Sequence, residues 1–265
     1  MLYSHANQSF TEKHQQPVLV FLHGLLGSGE DWQQTLAHLM DYPALSIDLP
    51  SHGLSAFSTC HNFKECCDQI SDTLLTQIAP HRPIVLIGYS LGARIAMNGV
   101  VNNHFANLNI QQLIVEGGNF GLQHKADKIA RLNHDSRWAK RFESEPIEQV
   151  LSDWYQLPVF SSLNHEQRQK LIAKRSANLG PQVAHMLMAT SLAKQDYLLD
   201  ALKSSSTTTH YICGEKDKKF SQLAEQSGLS FSQVVDAGHN VHVEQPQAFA
   251  AIVKTQIDVY ENSSH

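Results

Sequence analysis

Ser90 lies in Gly88-Tyr89-Ser90-Leu91-Gly92, after the apolar run 84–87 and before the helix-like run 93–97. A serine hydroxyl is a weak nucleophile and a weak proton relay until an imidazole takes its proton, and the imidazole needs a carboxylate to fix its tautomer. Placing the serine between two glycines on a sharp strand-to-helix turn lifts its Oγ clear of the sheet and sets it at a helix start, where free N–H groups favour negative charge. The sequence then offers the other two partners in chain order. Asp217 follows the apolar run 210–213 in Gly214-Glu215-Lys216-Asp217, and His239 stands in Ala237-Gly238-His239-Asn240. Glu116 also ends an apolar run and is a second candidate acid, with Asp217 preferred. Asp217 is equally placed to cap the helix that begins at Lys218 and Lys219, and His242 reads as a surface or supporting residue. Two backbone N–H groups are needed to hold a developing oxyanion. Leu91 supplies one, and the His23-Gly24-Leu25-Leu26-Gly27 turn supplies the other, with Leu25 preferred.

These residues require a scaffold that brings strand ends to one edge. Apolar runs at 18–22, 45–48, 84–88, 110–115, 210–213 and 231–235 read as strands buried on both faces of a parallel sheet. Helical patterns at 63–78 and 91–101, and a last helix opened by Pro246, alternate with them. That alternation is the α/β pattern, whose sites lie at the carboxyl ends of the strands. Residues 120–202 break it. Their periods are helical, at 135–142, 147–155, 165–178 and 182–192, and they read as a helical cap. The expected organisation is a core of 1–119 and 203–265 with the cap of 120–202 inserted, the polar stretch 204–209 marking the return to the sheet.

A chain of 265 residues with 42% hydrophobic and 17% charged residues can bury a core without disulfides or metals. The formal charge of −5 argues against a nucleic-acid or anionic-membrane binder. Cys60, Cys66, Cys67 and Cys213 form no C-x-x-C pair and read as free thiols of a reducing compartment. No signal-peptide pattern opens the sequence and no apolar run reaches membrane-span length, so a cytoplasmic protein, read as a monomer, is expected. Sixteen scattered histidines include no H-E-x-x-H, and no phosphate- or dinucleotide-binding glycine pattern follows a strand. Neither metal nor cofactor is expected.

Phe21-Leu22-His23-Gly24-Leu25-Leu26-Gly27-Ser28, Asp48-Leu49-Pro50-Ser51-His52-Gly53 and Gly88-Tyr89-Ser90-Leu91-Gly92-Ala93-Arg94 resemble the signatures of α/β-hydrolases. More narrowly, Val115-Glu116-Gly117-Gly118, Gly121-Leu122-Gln123, Asp153-Trp154-Tyr155, Pro158-Val159-Phe160, Arg175-Ser176-Ala177-Asn178, Asp217-Lys218-Lys219-Phe220 and Gly238-His239-Asn240 are similar to the 2-succinyl-6-hydroxy-2,4-cyclohexadiene-1-carboxylate synthase family of menaquinone biosynthesis. The resemblance covers nearly the whole chain. It departs at Ser51, where the family turn usually has glycine, and at Ala93, which replaces a common glycine. The resemblance implies an α/β-hydrolase fold, with a mostly parallel central sheet, flanking helices and an inserted cap. It also implies a lyase that takes a proton from a succinyl-bearing cyclohexene and expels pyruvate from its enolpyruvyl ether.

Such a substrate carries several carboxylates. Arg94 stands one turn after Ser90, and the cap carries Arg131, Arg137, Arg141, Arg168 and Arg175. Arginine matches carboxylates with a planar fork. Arg94, Arg131, Arg175 and Lys219 are expected to bind the small-molecule polycarboxylate, with Tyr89, Gln123 and Trp154 as pocket walls. Arg137 and Arg168 read as solvated helix faces. Two other readings stay open at this point: an esterase or carbon–carbon bond hydrolase using the same three residues, and a ligand receptor on the same fold that has lost turnover.

Overall fold

In the computed structural model, which describes residues 1–8 and 16–263, seven strands form one sheet. They are β1 (Ser4–Ala6), β2 (Val18–Leu22), β3 (Ala44–Ile47), β4 (Pro83–Tyr89), β5 (Asn109–Glu116), β6 (Thr208–Gly214) and β7 (Ser230–Val234), in the order β1-β3-β2-β4-β5-β6-β7. β1 pairs antiparallel with β3, and every other pairing is parallel. The helices are α1 (Gln33–Leu36), α2 (Phe63–Leu75), α3 (Leu91–Val101), α4 (Lys125–Ser144), α5 (Ile147–Trp154), α6 (His165–Arg175), α7 (Gly180–Ala189), α8 (Leu199–Lys203), α9 (Lys218–Ser227), α10 (Val241–Glu244) and α11 (Pro246–Ser263).

Strand alternation explains the two layers. Val18, Val20 and Leu22 of β2 face one side, with Ile70 and Leu74 of α2 and Ile95 and Met97 of α3. Leu19 and Phe21 face the other, with Trp32 and with Phe249, Val253 and Ile257 of α11. A β-strand buried on both faces needs this unbroken apolar run, which is why β2 was legible and polar β1 was not. The cap keeps its own core of Phe142, Val150, Leu151, Tyr155, Val183 and Leu187, with Leu26 of the sheet-edge turn inserted. α8 brings the chain back by packing Leu199 and Leu202 into the sheet layer.

Several boundaries differ from the sequence reading by a few residues, the helices read as 63–78 and 165–178 ending at Leu75 and Arg175, and two differences have a clear reason. The first cap helix starts ten residues before 135, because the polar stretch from Lys125 has helix-forming residues but little apolar periodicity. Thr208 and Thr209, read as linker, already belong to β6, since β-branched threonine suits a strand edge. The four cysteines are buried and free. Among the described residues no helix is long and apolar enough to cross a membrane, and no cluster of three or more His, Cys, Asp or Glu is placed to hold a metal ion.

Ser51 adopts φ +67°, the left-handed region, so glycine at this turn has a conformational reason. Its buried Oγ finds no hydrogen-bond partner among the described residues. Ser51→Gly is therefore expected to stabilise the protein by about 1 kcal/mol with activity unchanged, the steric relief exceeding the added chain entropy. Chemical denaturation compares the two proteins, and a loss of stability would contradict the strain argument.

Candidate active site

The elbow forms where β4 ends. Ser90 has φ 49° and ψ −102°, a conformation that few residues adopt, and it precedes α3 directly. Its N–H donates to the Glu116 carbonyl at 2.8 Å, which anchors the turn to β5. Gly92 is required by close packing, since a Cβ there would stand 2.3 Å from the Leu22 carbonyl oxygen. Asp217 follows the end of β6 and caps α9, and its carboxylate has two tasks. Oδ1 accepts the Phe220 N–H at 3.3 Å and caps α9, while Oδ2 accepts from His239 Nδ1 at 2.6 Å. Both the helix-cap reading and the triad reading of Asp217 thus hold together. With Nδ1 protonated toward Asp217, the Nε2 atom of His239 is left as the base. Asp217 and His239 are 7% and 6% exposed, so their contact is shielded from water. Among the described residues Ser90 Oγ makes no hydrogen bond to His239. Apo catalytic contacts of this kind are often loose and close only around a substrate.

The competing acid is otherwise engaged. Glu116 accepts from the His242 N–H at 3.1 Å and from His242 Nδ1 at 2.8 Å. His242 is only 1% exposed and so is no surface residue.

The N–H groups of Leu25 and Leu91 have no hydrogen-bond partner among the described residues. Two buried histidines brace the turn that carries Leu25. His23 donates from Nδ1 to the Gly24 carbonyl at 2.7 Å and accepts the Leu49 N–H on Nε2 at 2.9 Å. His52 donates from Nδ1 to the Pro50 carbonyl at 2.9 Å and accepts the Leu26 N–H on Nε2 at 3.0 Å. Each loop is thus tied to the other by its neighbour's histidine. Both must be neutral to accept, and burial lowers His23 to about 4 and His52 to about 3.

That lowering fixes a pH dependence. The unfolded chain protonates these histidines near 6.5 and the folded chain does not, so their stabilisation is complete above that pH and is lost as pH falls toward the folded values. Each histidine contributes about 1.4 kcal/mol per pH unit within the window. Unfolding free energy measured from pH 7 to 5 is expected to fall, and His52→Gln to remove one proton's share of the slope. An unchanged slope in that variant would contradict the assignment.

The cations divide into two groups. Arg94 donates from Nη1 to the Thr190 carbonyl at 2.8 Å and to Gln195 Oε1 at 3.4 Å, and lies 5.6 Å over the Phe63 ring. No carboxylate pairs with it among the described residues. Burial, and then the neighbouring Arg131, lower it to about 9. Arg131 offers Nε to Asp135 at 2.8 Å, and Asp135 also accepts from Ser191 Oγ at 2.7 Å. Lys219 is likewise lowered, by burial and then by Arg131. Arg131 therefore stands close enough to repel both Arg94 and Lys219, beside the elbow helix and the Asp217 loop. Arg131 pairs with Asp135, while Arg94 and Lys219 make no ion pair among the described residues, and such a cluster of cations suits an anion.

Arg175 makes a contact that the sequence did not announce. Its Nη2 atom pairs with Asp31 at 2.6 Å, and Lys174 reaches the same carboxylate at 2.8 Å. Burial opposes its charge, but Asp31 and then Tyr155 more than offset this and raise it. Its fork is thus engaged in a cap-to-core bond. A cavity of about 510 Å³ adjoins Leu26, Asp48, Ser51, Lys174 and Arg175, and none of Ser90, Asp217 and His239 lines it. The chemistry is therefore located by the relay geometry.

Tyr89 lies between His239 and His242, with ring centroids 5.3 and 4.7 Å away, and its hydroxyl bonds Asn240. Trp154 meets Trp138 edge-on at 5.0 Å inside the cap. Gln123 is exposed, just before α4. Thr190, Ser191 and Gln195, which hold the arginines, were not singled out from sequence. Only the Arg131–Asp135 spacing of four could have pointed to that bracing.

Residues 19–252 match the model of the α/β-hydrolase family. A 2-succinyl-6-hydroxy-2,4-cyclohexadiene-1-carboxylate synthase of Yersinia enterocolitica is 48% identical over 93% of this chain and 88% of its own length. The protein of the same description from Pectobacterium atrosepticum is 46% identical over 91% of this chain and 93% of its own. Among solved structures, MenH from S. aureus superposes with a TM-score of 0.88 at 27% identity, over 98% of this chain and all of that one. The chain belongs to the α/β-hydrolase family and, within it, to the 2-succinyl-6-hydroxy-2,4-cyclohexadiene-1-carboxylate synthases.

Proposed function

We propose that this protein is the pyruvate-eliminating lyase of menaquinone biosynthesis, converting 2-succinyl-5-enolpyruvyl-6-hydroxy-3-cyclohexene-1-carboxylate to 2-succinyl-6-hydroxy-2,4-cyclohexadiene-1-carboxylate. The observation that carries the reading is the set of Arg94, Arg131 and Lys219, of which only Arg131 has an ion-pair partner among the described residues, beside the Ser90 elbow and the His239–Asp217 contact. A pocket for neutral esters has no use for such a cluster of cations, whereas a substrate with several carboxylates relieves its repulsion on binding.

The ring proton next to the succinyl carbonyl is the acidic one. His239 Nε2 removes it through Ser90 Oγ, while Asp217 holds the imidazole tautomer and stabilises the imidazolium. The C–H electrons pass onto the carbonyl oxygen, and the N–H groups of Leu25 and Leu91 stabilise that enolate. The electrons then return through the ring alkene, forming the conjugated diene as the carbon–oxygen bond to the enolpyruvyl group breaks. Pyruvate leaves as its enolate and recovers a proton from the relay. Atoms balance without water and without an acyl-enzyme, so the hydrolase scaffold performs a lyase reaction. Arg94 and Arg131 hold the substrate carboxylates, with Asp135, Thr190 and Gln195 fixing the direction of each guanidinium.

A coupled assay for pyruvate on the enolpyruvyl substrate tests this reading. Turnover there, with little or none on neutral esters, is the expected result. Efficient ester hydrolysis without pyruvate release would favour the hydrolase reading.

A further inference from the structure

Glu116 and His242 form a second buried carboxylate–imidazole contact beside the first, and the relay as described does not use it. Both are essentially inaccessible, at 0% and 1% exposure. We propose that Glu116 is a positioning residue for the relay: it ties the Ser90 elbow to the His239 loop.

The geometry carries the proposal. Through its main chain Glu116 accepts the Ser90 N–H at 2.8 Å. Through its side chain it holds the His242 N–H at 3.1 Å and His242 Nδ1 at 2.8 Å. His242 lies in the first turn of α10, three residues after His239. One residue therefore touches both segments whose separation sets the Ser90–His239 contact. The surroundings lock it in place. Trp32 stacks on His242 at 4.2 Å, and Thr35 Oγ1 donates to the His242 carbonyl at 3.0 Å. Gly117 passes directly under the His239 ring, where a Cβ would lie 2.8 Å from Cε1.

The inference rests on the relay reading, and its test separates the two. kcat and KM are measured for the wild type, Glu116→Ala, Glu116→Gln and His242→Phe, with thermal unfolding as a control. Glu116→Ala removes the side-chain tie to His242, and kcat is expected to fall about tenfold with KM little changed. Glu116→Gln keeps an acceptor for His242 and should recover most of that loss. His242→Phe removes the imidazole donor, and its kcat should fall with KM little changed. A folded Glu116→Ala enzyme with unaltered kcat would overturn the proposal and leave the relay intact. If that variant does not fold, an unaltered kcat in folded His242→Phe overturns it equally. Absence of pyruvate release in the wild type would instead remove the relay reading itself.

Discussion

Ser90→Ala and His239→Ala are each expected to reduce kcat by about three to four orders of magnitude, the loss that removal of a cooperating relay member produces elsewhere. The relay acts as a unit, so the double variant should be little worse than either single one. Folding should survive, because both changes shorten a side chain outside the hydrophobic core without introducing a buried charge. Loss of the Asp217 contact also removes no helix cap in these variants, since Oδ1 still receives the Phe220 N–H. Steady-state kinetics with thermal unfolding as a control decide the matter. Near-normal turnover in a folded Ser90→Ala protein would contradict the account.

The second large effect concerns charge. Arg94→Ala is expected to cost about 2–5 kcal/mol of transition-state stabilisation on the enolpyruvyl substrate, because a desolvated substrate carboxylate would lose its partner. Arg94→Lys should recover only part, as an ammonium lacks the planar fork and cannot serve Thr190 and a substrate together. Any activity on a small neutral ester should change little in both. Arg175→Ala should behave differently. It leaves Asp31 with Lys174 alone and loosens the cap from the core, so the expected signature is a fall in stability by about 3 kcal/mol. Measuring kcat/KM on both substrates and the unfolding free energy of all three variants separates these outcomes. Equal losses on both substrates for Arg94→Ala would mean disruption of the elbow helix, and the anionic-substrate reading would lose its support.

What the sequence disclosed and what it withheld follow from the range of the interactions. Ser90, Asp217 and His239 each sit in a short local signature at a strand end, so their types, order and edge could be read directly. Glycines at 88 and 92 belong to the same local geometry. Ser51 was legible as a departure, and its left-handed φ supplies the reason. β1 was not legible, because three polar-flanked residues carry no alternation and gain their place only by pairing with β3. The partner of Arg175 is 144 residues away, and His242 is 126 residues from Glu116. Nothing local in either pair announces the other member. The first pair meets where the cap closes on the core, the second where the end of β5 meets α10. The Asp31 contact of Arg175, and the supporting rather than surface place of His242, were out of reach for that reason. Arg94 was placed correctly on the elbow helix, but its supports at Thr190 and Gln195 come from the chain's return out of the cap.

The central claim is that a hydrolase-type relay performs an elimination here. The most direct measurement follows pyruvate and the conjugated diene together, by coupled assay and ultraviolet absorbance, in wild type and Ser90→Ala. The account predicts that the wild type forms the two products in equal amounts and at equal rates, and that Ser90→Ala slows both by the same factor. Diene formation without matching pyruvate, or an unchanged rate in Ser90→Ala, would contradict it.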